Sequence, residues 1–196
     1  MLFRSDRLSL NGRVGYFKEN RDNGKVGELN DTRWTSYSGG MRLELPGGDL
    51  QARAYGDVQH AHYNFLAVTN AATTRNVVRL ATDQKLPVKG VGGMAQWQRV
   101  FGTKQAFTLG TDYRWVEGES QESAYVASTP AAFDGVTQAA TLSVQRYSGG
   151  SQRSQGAFVQ DVITPTEKLV ITLNARIDHW RNYAGHNNEK IGRAHV

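Results

Sequence analysis

His60 and His62 stand two residues apart, a spacing that puts both imidazoles on one face of a strand and suits a shared metal ion. No third ligand accompanies them, so the pair reads as solvated residues near a strand end. Glu117, Glu119 and Glu122 offer carboxylates close enough in sequence for general acid–base work. Their Gly- and Ser-rich setting reads as the start of a loop, and no second constellation goes with them. Ser148-Gly149-Gly150-Ser151 lacks the Gly-x-Ser-x-Gly order and the strand–turn–helix context of a nucleophile elbow, and reads as flexible loop. The chain has no Cys, which excludes thiolate metal sites and a disulfide scaffold. No catalytic, cofactor-binding or metal site is expected, and none of these groups supports an enzyme.

The charges that do follow a pattern are single residues set among apolar ones with period two. Arg13 alternates with Leu8, Leu10, Gly12, Val14 and Tyr16 on a strand expected from about Arg7 to Glu19. Arg42 and Glu44 face away from Tyr37, Gly39, Met41, Leu43 and Leu45 on a second, beginning near Trp34. Arg53 and Asp57 oppose Leu50, Ala52, Ala54, Gly56 and Val58 on a third. A fourth, near Val91 to Val100, sets Ala95 and Trp97 against Met94, Gln96 and Gln98. Asp112 and Arg114 oppose Phe107, Leu109, Thr111, Tyr113 and Trp115 on the fifth, the clearest of all. The sixth, near Ser154 to Ile163, leaves its facing ambiguous. On the seventh, Arg176 and Asp178 oppose Leu169, Ile171, Leu173, Ala175 and Ile177.

Short turns join these strands in pairs: Pro46-Gly47-Gly48-Asp49, Phe101-Gly102-Thr103-Lys104 and Thr164-Pro165-Thr166-Glu167. Long polar connections alternate with them, over about Asn20 to Thr32, Asn64 to Lys89, and Gly118 to Gln152, the last with local strand extension around Ala140 to Tyr147. Short turns on one rim, long loops on the other and dyad-patterned strands of ~9–11 residues are the signature of a transmembrane β-barrel. The loops around Asn23, Ala72 and Thr129 are assigned to the outer rim. Tyr16, Trp34, Tyr37, Tyr63, Tyr113, Trp115 and Trp180 gather near the long-loop ends as an aromatic girdle, with Phe101 and Phe107 at the opposite rim. The fold class expected is all-β: an antiparallel transmembrane β-barrel fragment of about seven strands forming a curved open sheet. A soluble β-sandwich alternates too, but its strands are commonly ~5–6 residues long.

Composition fits. Only 39% of residues are hydrophobic and mean hydropathy is -0.53, as a barrel strand needs only every other residue apolar. The net charge of +5 is spread singly among acids with no Lys/Arg cluster, so nucleic acid is not an expected partner.

The two ends carry a further pattern. Met1-Leu2-Phe3-Arg4-Ser5 can be written GTG CTC TTC CGA TCT, with GTG as start codon, and Ile191-Gly192-Arg193-Ala194-His195-Val196 can be written ATC GGA AGA GCA CAC GTC. Preceded by the AG of a lysine codon, the second string contains the reverse complement of the first, as translated sequencing adapter would. Residues 1–5 and 191–196 are therefore expected to be adapter-derived and 6–190 a partial transmembrane β-barrel. Without Arg4 and Arg193 the net charge falls from +5 to +3.

Gln96-Trp97-Gln98-Arg99-Val100-Phe101-Gly102 followed by Phe107-Thr108-Leu109-Gly110-Thr111-Asp112-Tyr113-Arg114 resembles mid-barrel hairpins of TonB-dependent outer-membrane receptors. So does Gly156-Ala157-Phe158-Val159-Gln160-Asp161, then Pro165, then Leu169 to Asp178, with Ile177 where that family usually has an aromatic residue. The resemblance implies a barrel of about 22 strands around an internal plug, in the outer membrane of a Gram-negative bacterium. It also implies active uptake of scarce solutes such as siderophores, cobalamin or carbohydrates, driven by TonB, with outer-membrane lipid as the other partner. Arg42, Glu44, Arg53, Asp57, Asp112, Arg114, Arg176 and Asp178 would then face the lumen, since charges there stay hydrated. A passive porin shares the turns, girdle and polar lumen, and a soluble β-rich adhesin or carbohydrate-active protein would pack the apolar face on a second sheet.

Overall fold

The computed structural model describes residues 2–69, 74–128 and 134–191. Alternating side chains favour an extended backbone, and the chain forms eight strands: β1 (Leu2–Arg4), β2 (Leu8–Asp22), β3 (Leu29–Leu45), β4 (Gly48–Val68), β5 (Val78–Phe101), β6 (Gln105–Ala127), β7 (Ala140–Thr166) and β8 (Leu169–Ile191). They form one antiparallel sheet in sequence order, β1 to β8, which is not closed into a barrel. The seven expected strands are β2 to β8. The three-residue β1 is an addition, pairing Leu2, Phe3 and Arg4 with Asn11, Leu10 and Ser9.

The strands run far past the segments marked by alternation. From β4 onward they hold 21, 24, 23, 27 and 23 residues, or roughly 70–90 Å each. The long connections shrink accordingly to 23–28, 69–77 and 128–139; Ala72 and Thr129 lie outside the described residues. Ser148 to Ser151 belongs to β7 and Glu117, Glu119 and Glu122 to β6, so neither set is in a loop.

Short turns lie at the other end of every hairpin. Pro46-Gly47 and Gly102-Thr103-Lys104 fall where expected, and Gly102 takes a φ of 59° that a side chain would resist. The third turn is Glu167–Lys168, and Pro165 sits within β7 where the β7–β8 register shifts. A bulge absorbs a proline that cannot donate to a ladder. Pro87 shows the same constraint inside the sheet: β5 pairs with β6 at Lys85 and again at Val88, skipping Leu86 and Pro87.

Apart from glycines, only Ala61, Val78 and Glu28 are buried among the described residues. These three lie at the long-connection end, where loops dock on neighbouring hairpins. Lys25 and Glu28 pair at 2.6 Å, and Glu28 accepts the Leu66 amide at 3.1 Å. The last connection crosses to the start of β5, where the Val78 amide donates to the Val136 carbonyl and the Gln138 amide to that of Val78. Asp134 Oδ1 accepts the Val136 and Thr137 amides at 3.0 and 2.6 Å, and these bonds, Thr137 first, hold its carboxyl below the usual range. A lowered pKa stabilises the turn above the ordinary carboxylate range, and that support is lost as pH falls through the lowered value. Amide exchange at Val136 and Thr137, relative to intrinsic rates, is expected to accelerate on such acidification. Protection that stays unchanged at every acid pH would contradict this.

Candidate functional site

The pairing register assigns every strand residue to one of two faces. One row reads Leu8, Leu43, Leu50, Trp97, Leu109, Val159, Ala175 from β2 to β8, apolar on all seven strands. It settles the ambiguous strand, placing Ala157 and Val159 on the apolar face and Phe158 on the other. The apolar side chains have no covering layer: Val14 is 79% exposed and Ile177 74%.

This apolar band crosses the sheet obliquely. On β2 it runs from Leu8 to Tyr16, ending below Lys18. On β8 it runs from Leu169 to Ile177, ending below His179 and Arg181. Ile177 shares its row with Leu10, six residues short of Tyr16, and the lower edge slips by the same amount. Six residues are ~20 Å along a strand and six strand spacings are ~29 Å across, so the band makes an angle of about 35° with the rows. Strands of membrane barrels tilt by ≈ 35–45°. The band's height agrees: on β5 it is bounded by Arg99 and Lys89, ten residues apart on the same face, or ~27 Å along the tilted normal against the ≈ 25 Å of a barrel's apolar belt.

The aromatic girdle is corrected by the register. Tyr16, Tyr37, Tyr113 and Trp115 stand on the apolar face near the band's upper edge, following its slope. Trp34, Tyr63 and Trp180 stand on the opposite face. Tyr63 also stands apart in height, on the row of Arg21, five rows above Tyr16, and above the band the sequence no longer marks which face is which.

The polar face carries the other half. Arg42 and Arg176 share one row; Arg53, Asp112 and Asp178 share the next, and Arg13 and Arg114 the one after. The structure brings three of these together across β6, β7 and β8. Arg176 reaches Asp112 at 2.9 Å and Asp178 at 2.5 Å, over Gly156, which lies between the two aspartates in register. A Cβ on Gly156 would collide with the Arg176 guanidinium and with Asp178 Oδ1. Gly156→Leu and Arg176→Gln are each expected to lower folding stability, with the double variant little worse than either single one and the loss shrinking in high salt. Additive losses would separate the glycine from the ion pair.

Arg42 pairs with Asp49 at 2.7 Å. Asp49 had been read only as a turn residue, yet it faces Glu44 across the hairpin, and two opposed carboxylates call for a cation. Glu44, Arg53, Asp57 and Arg114 make no ion pair among the described residues. A second clamp escaped sequence reading because Glu122 reads as part of a loop start and alternation marks the seventh strand only to Asp178, short of Glu189. Glu122, Arg146 and Glu189 are directly in register, with contacts of 2.7 and 3.0 Å, and hydrogen bonds to Glu189 and Glu122 raise the Arg146 pKa further.

The groups first weighed for chemistry are dispersed. Glu117 pairs with Lys89 at 3.1 Å on the apolar-face side, while Glu122 is on the other face, so they form no carboxylate dyad. His62 Nε2 lies 2.7 Å from Asp83 and Nδ1 3.7 Å from Asp31. Among the described residues no three His, Cys, Asp or Glu side chains are placed to hold a metal ion. What this surface offers is two faces of opposite solvation, one row apart along every strand.

The family model for the TonB dependent receptor-like β-barrel matches residues 3–193. The chain belongs to the TonB-dependent receptor β-barrel family. No curated protein and no solved structure matches it. Within this receptor family the barrel is a wall between lipid and a polar interior.

Proposed function

We propose that this chain forms part of the wall of a TonB-dependent receptor in the outer membrane of a Gram-negative bacterium. It serves active uptake of a scarce solute of the siderophore, cobalamin or carbohydrate class. The oblique apolar band carries this reading, because its slope and height match a tilted barrel strand crossing hydrocarbon. The band faces lipid. Arg42, Glu44, Arg53, Asp57, Asp112, Arg114, Arg176 and Asp178 line the lumen, where water and a polar plug keep them solvated. TonB supplies the energy by acting on parts of the receptor other than this wall, and no catalytic turnover is involved.

The four tryptophans test the facing. Trp97 and Trp115 lie on the apolar face, Trp34 and Trp180 on the polar one. In single-tryptophan variants placed in bilayers of brominated lipid, Trp97 and Trp115 are expected to be strongly quenched and Trp34 and Trp180 hardly at all. Equal quenching of all four would overturn the assignment.

A further inference from the structure

The tip of the β4–β5 hairpin outruns the strands on both sides of it. Pairing between β3 and β4 ends at Asn30 and Tyr63, yet β4 continues to Val68. Pairing between β5 and β6 reaches only as far as Thr82 and Ala124, yet β5 begins at Val78. Beyond those limits the two strands pair with each other and have no strand on either outer side. Open edges of this kind attract further chain.

Both edges are covered, and by different connections. On the β4 side the β2–β3 connection uses side chains. Glu28 accepts the Leu66 amide at 3.1 Å, and Lys25 Nζ donates to the Leu66 carbonyl at 3.0 Å. An acceptor meets the donor and a donor the acceptor, as a pairing strand would arrange them. Asn64 returns the contact, its Oδ1 accepting the Leu29 amide at 2.6 Å and its Nδ2 donating to the Gly27 carbonyl at 2.7 Å. On the β5 side the β6–β7 connection uses its backbone. Val78 and Thr137 form a parallel bridge, the Val78 amide donates to the Val136 carbonyl at 3.0 Å, and the Gln138 amide to the Val78 carbonyl at 2.8 Å. Glu28 and Val78, at the two fastenings, are 7% and 4% exposed in a sheet that buries little else.

We propose that the three long connections form a single cover fastened to this hairpin tip, so that they open together and not one by one. Leu66 pairs with Leu80 and Val68 with Val78, so release at one edge crosses to the other in a single step of the ladder. Cooperative opening units commonly coincide with such supersecondary motifs. A molecule held by any one connection then alters the exposure of the other two. The inference does not depend on which face meets lipid.

The test is residue-resolved amide exchange of the chain folded in phosphatidylcholine vesicles. Glu28→Ala removes the charged acceptor of the Leu66 amide and is expected to speed exchange there on the order of tenfold. Val78 and Gln138, at the far edge, should speed up by a similar factor, while Trp97 and Leu109 within the band keep their protection. Asp134→Ala, in the β6–β7 connection, should in turn speed exchange at Leu66. Lys25→Glu/Glu28→Lys preserves the ion pair but sets a donor against the Leu66 amide and an acceptor against its carbonyl, so it should open the tip as Glu28→Ala does. Faster exchange at Leu66 with Val78 and Gln138 unchanged overturns the single cover, and so does unaltered Leu66 protection in Asp134→Ala. Full protection in the charge-swapped chain overturns the edge-covering role of Lys25 and Glu28. If Glu28→Ala also speeds Trp97 and Leu109, the whole sheet has loosened, and Asp134→Ala, at an exposed side chain, decides.

Discussion

Leu109→Arg is expected to weaken folding into vesicles by about 2–4 kcal/mol, roughly 30- to 900-fold in the folding equilibrium, because it places a charge facing lipid near mid-bilayer. Leu109 lies well inside the band of β6, between Trp97 and Val159 in its row, and is 51% exposed. Thr108→Arg, one residue away on the polar face, should cost little, since its guanidinium can remain hydrated. Leu8→Arg sharpens the comparison. Leu8 occupies the same row as Leu109, but the slope of the band puts it at the lower edge on β2. There an arginine reaches the interface, and the expected cost is ~0–1 kcal/mol. Folding free energies of the three variants, measured in the same vesicles, check both claims. Equal losses for Leu109 and Thr108 would sink the facing, and equal losses for Leu109 and Leu8 would sink the tilt.

The second large effect concerns the chain in water. The outer edge of β8 leaves a 23-residue strand unpaired, every residue of it exposed, and β1 covers only three residues of β2. Such edges template further pairing. The apolar face compounds this, with Leu173 at 58%, Leu109 at 51% and Tyr37 at 48% exposure. Expressed without detergent or lipid, the 196-residue chain is expected to be recovered as aggregate, and to become monodisperse only on transfer to detergent. Light scattering after size exclusion decides it. A monodisperse soluble monomer with cooperative unfolding would contradict the membrane assignment, and a second apolar layer would then have to exist.

How much of this could be read from residues depended on where lipid lies. Within the band the sequence is explicit: Leu50-Gln51-Ala52-Arg53-Ala54 alternates strictly, as the proposed facing of hydrocarbon on one side and water on the other requires. Above it, segments such as Asn64 to Val68 and Gly118 to Ala127 are strand as well, but where water wets both faces nothing enforces alternation. These overhangs read as loops for that reason, and no local alternation marks the face on which Trp34 or Trp180 stands. The Thr164-Pro165 turn misled differently. Proline marks a missing donor, which a bulge meets as well as a turn does. The polar face was legible as a set of charges, but its pairs were not. Arg176 meets Asp112 across an intervening strand only because Gly156 lies between them, and that depends on a three-strand register no local pattern encodes.

The oblique band has a geometric consequence. Its edge slips by one residue for each strand crossed. Any closed barrel containing this sheet must bring the membrane boundary back to its own level after a full circuit, so the hydrogen-bonded rows must be staggered by about as many residues as there are strands. Shear number and strand number would then be nearly equal, the condition that gives a tilt of ≈ 36° in eight-stranded barrels of shear 8. A strand completing this wall is therefore constrained before its side chains are known: its belt of apolar residues must begin one residue further along than its neighbour's.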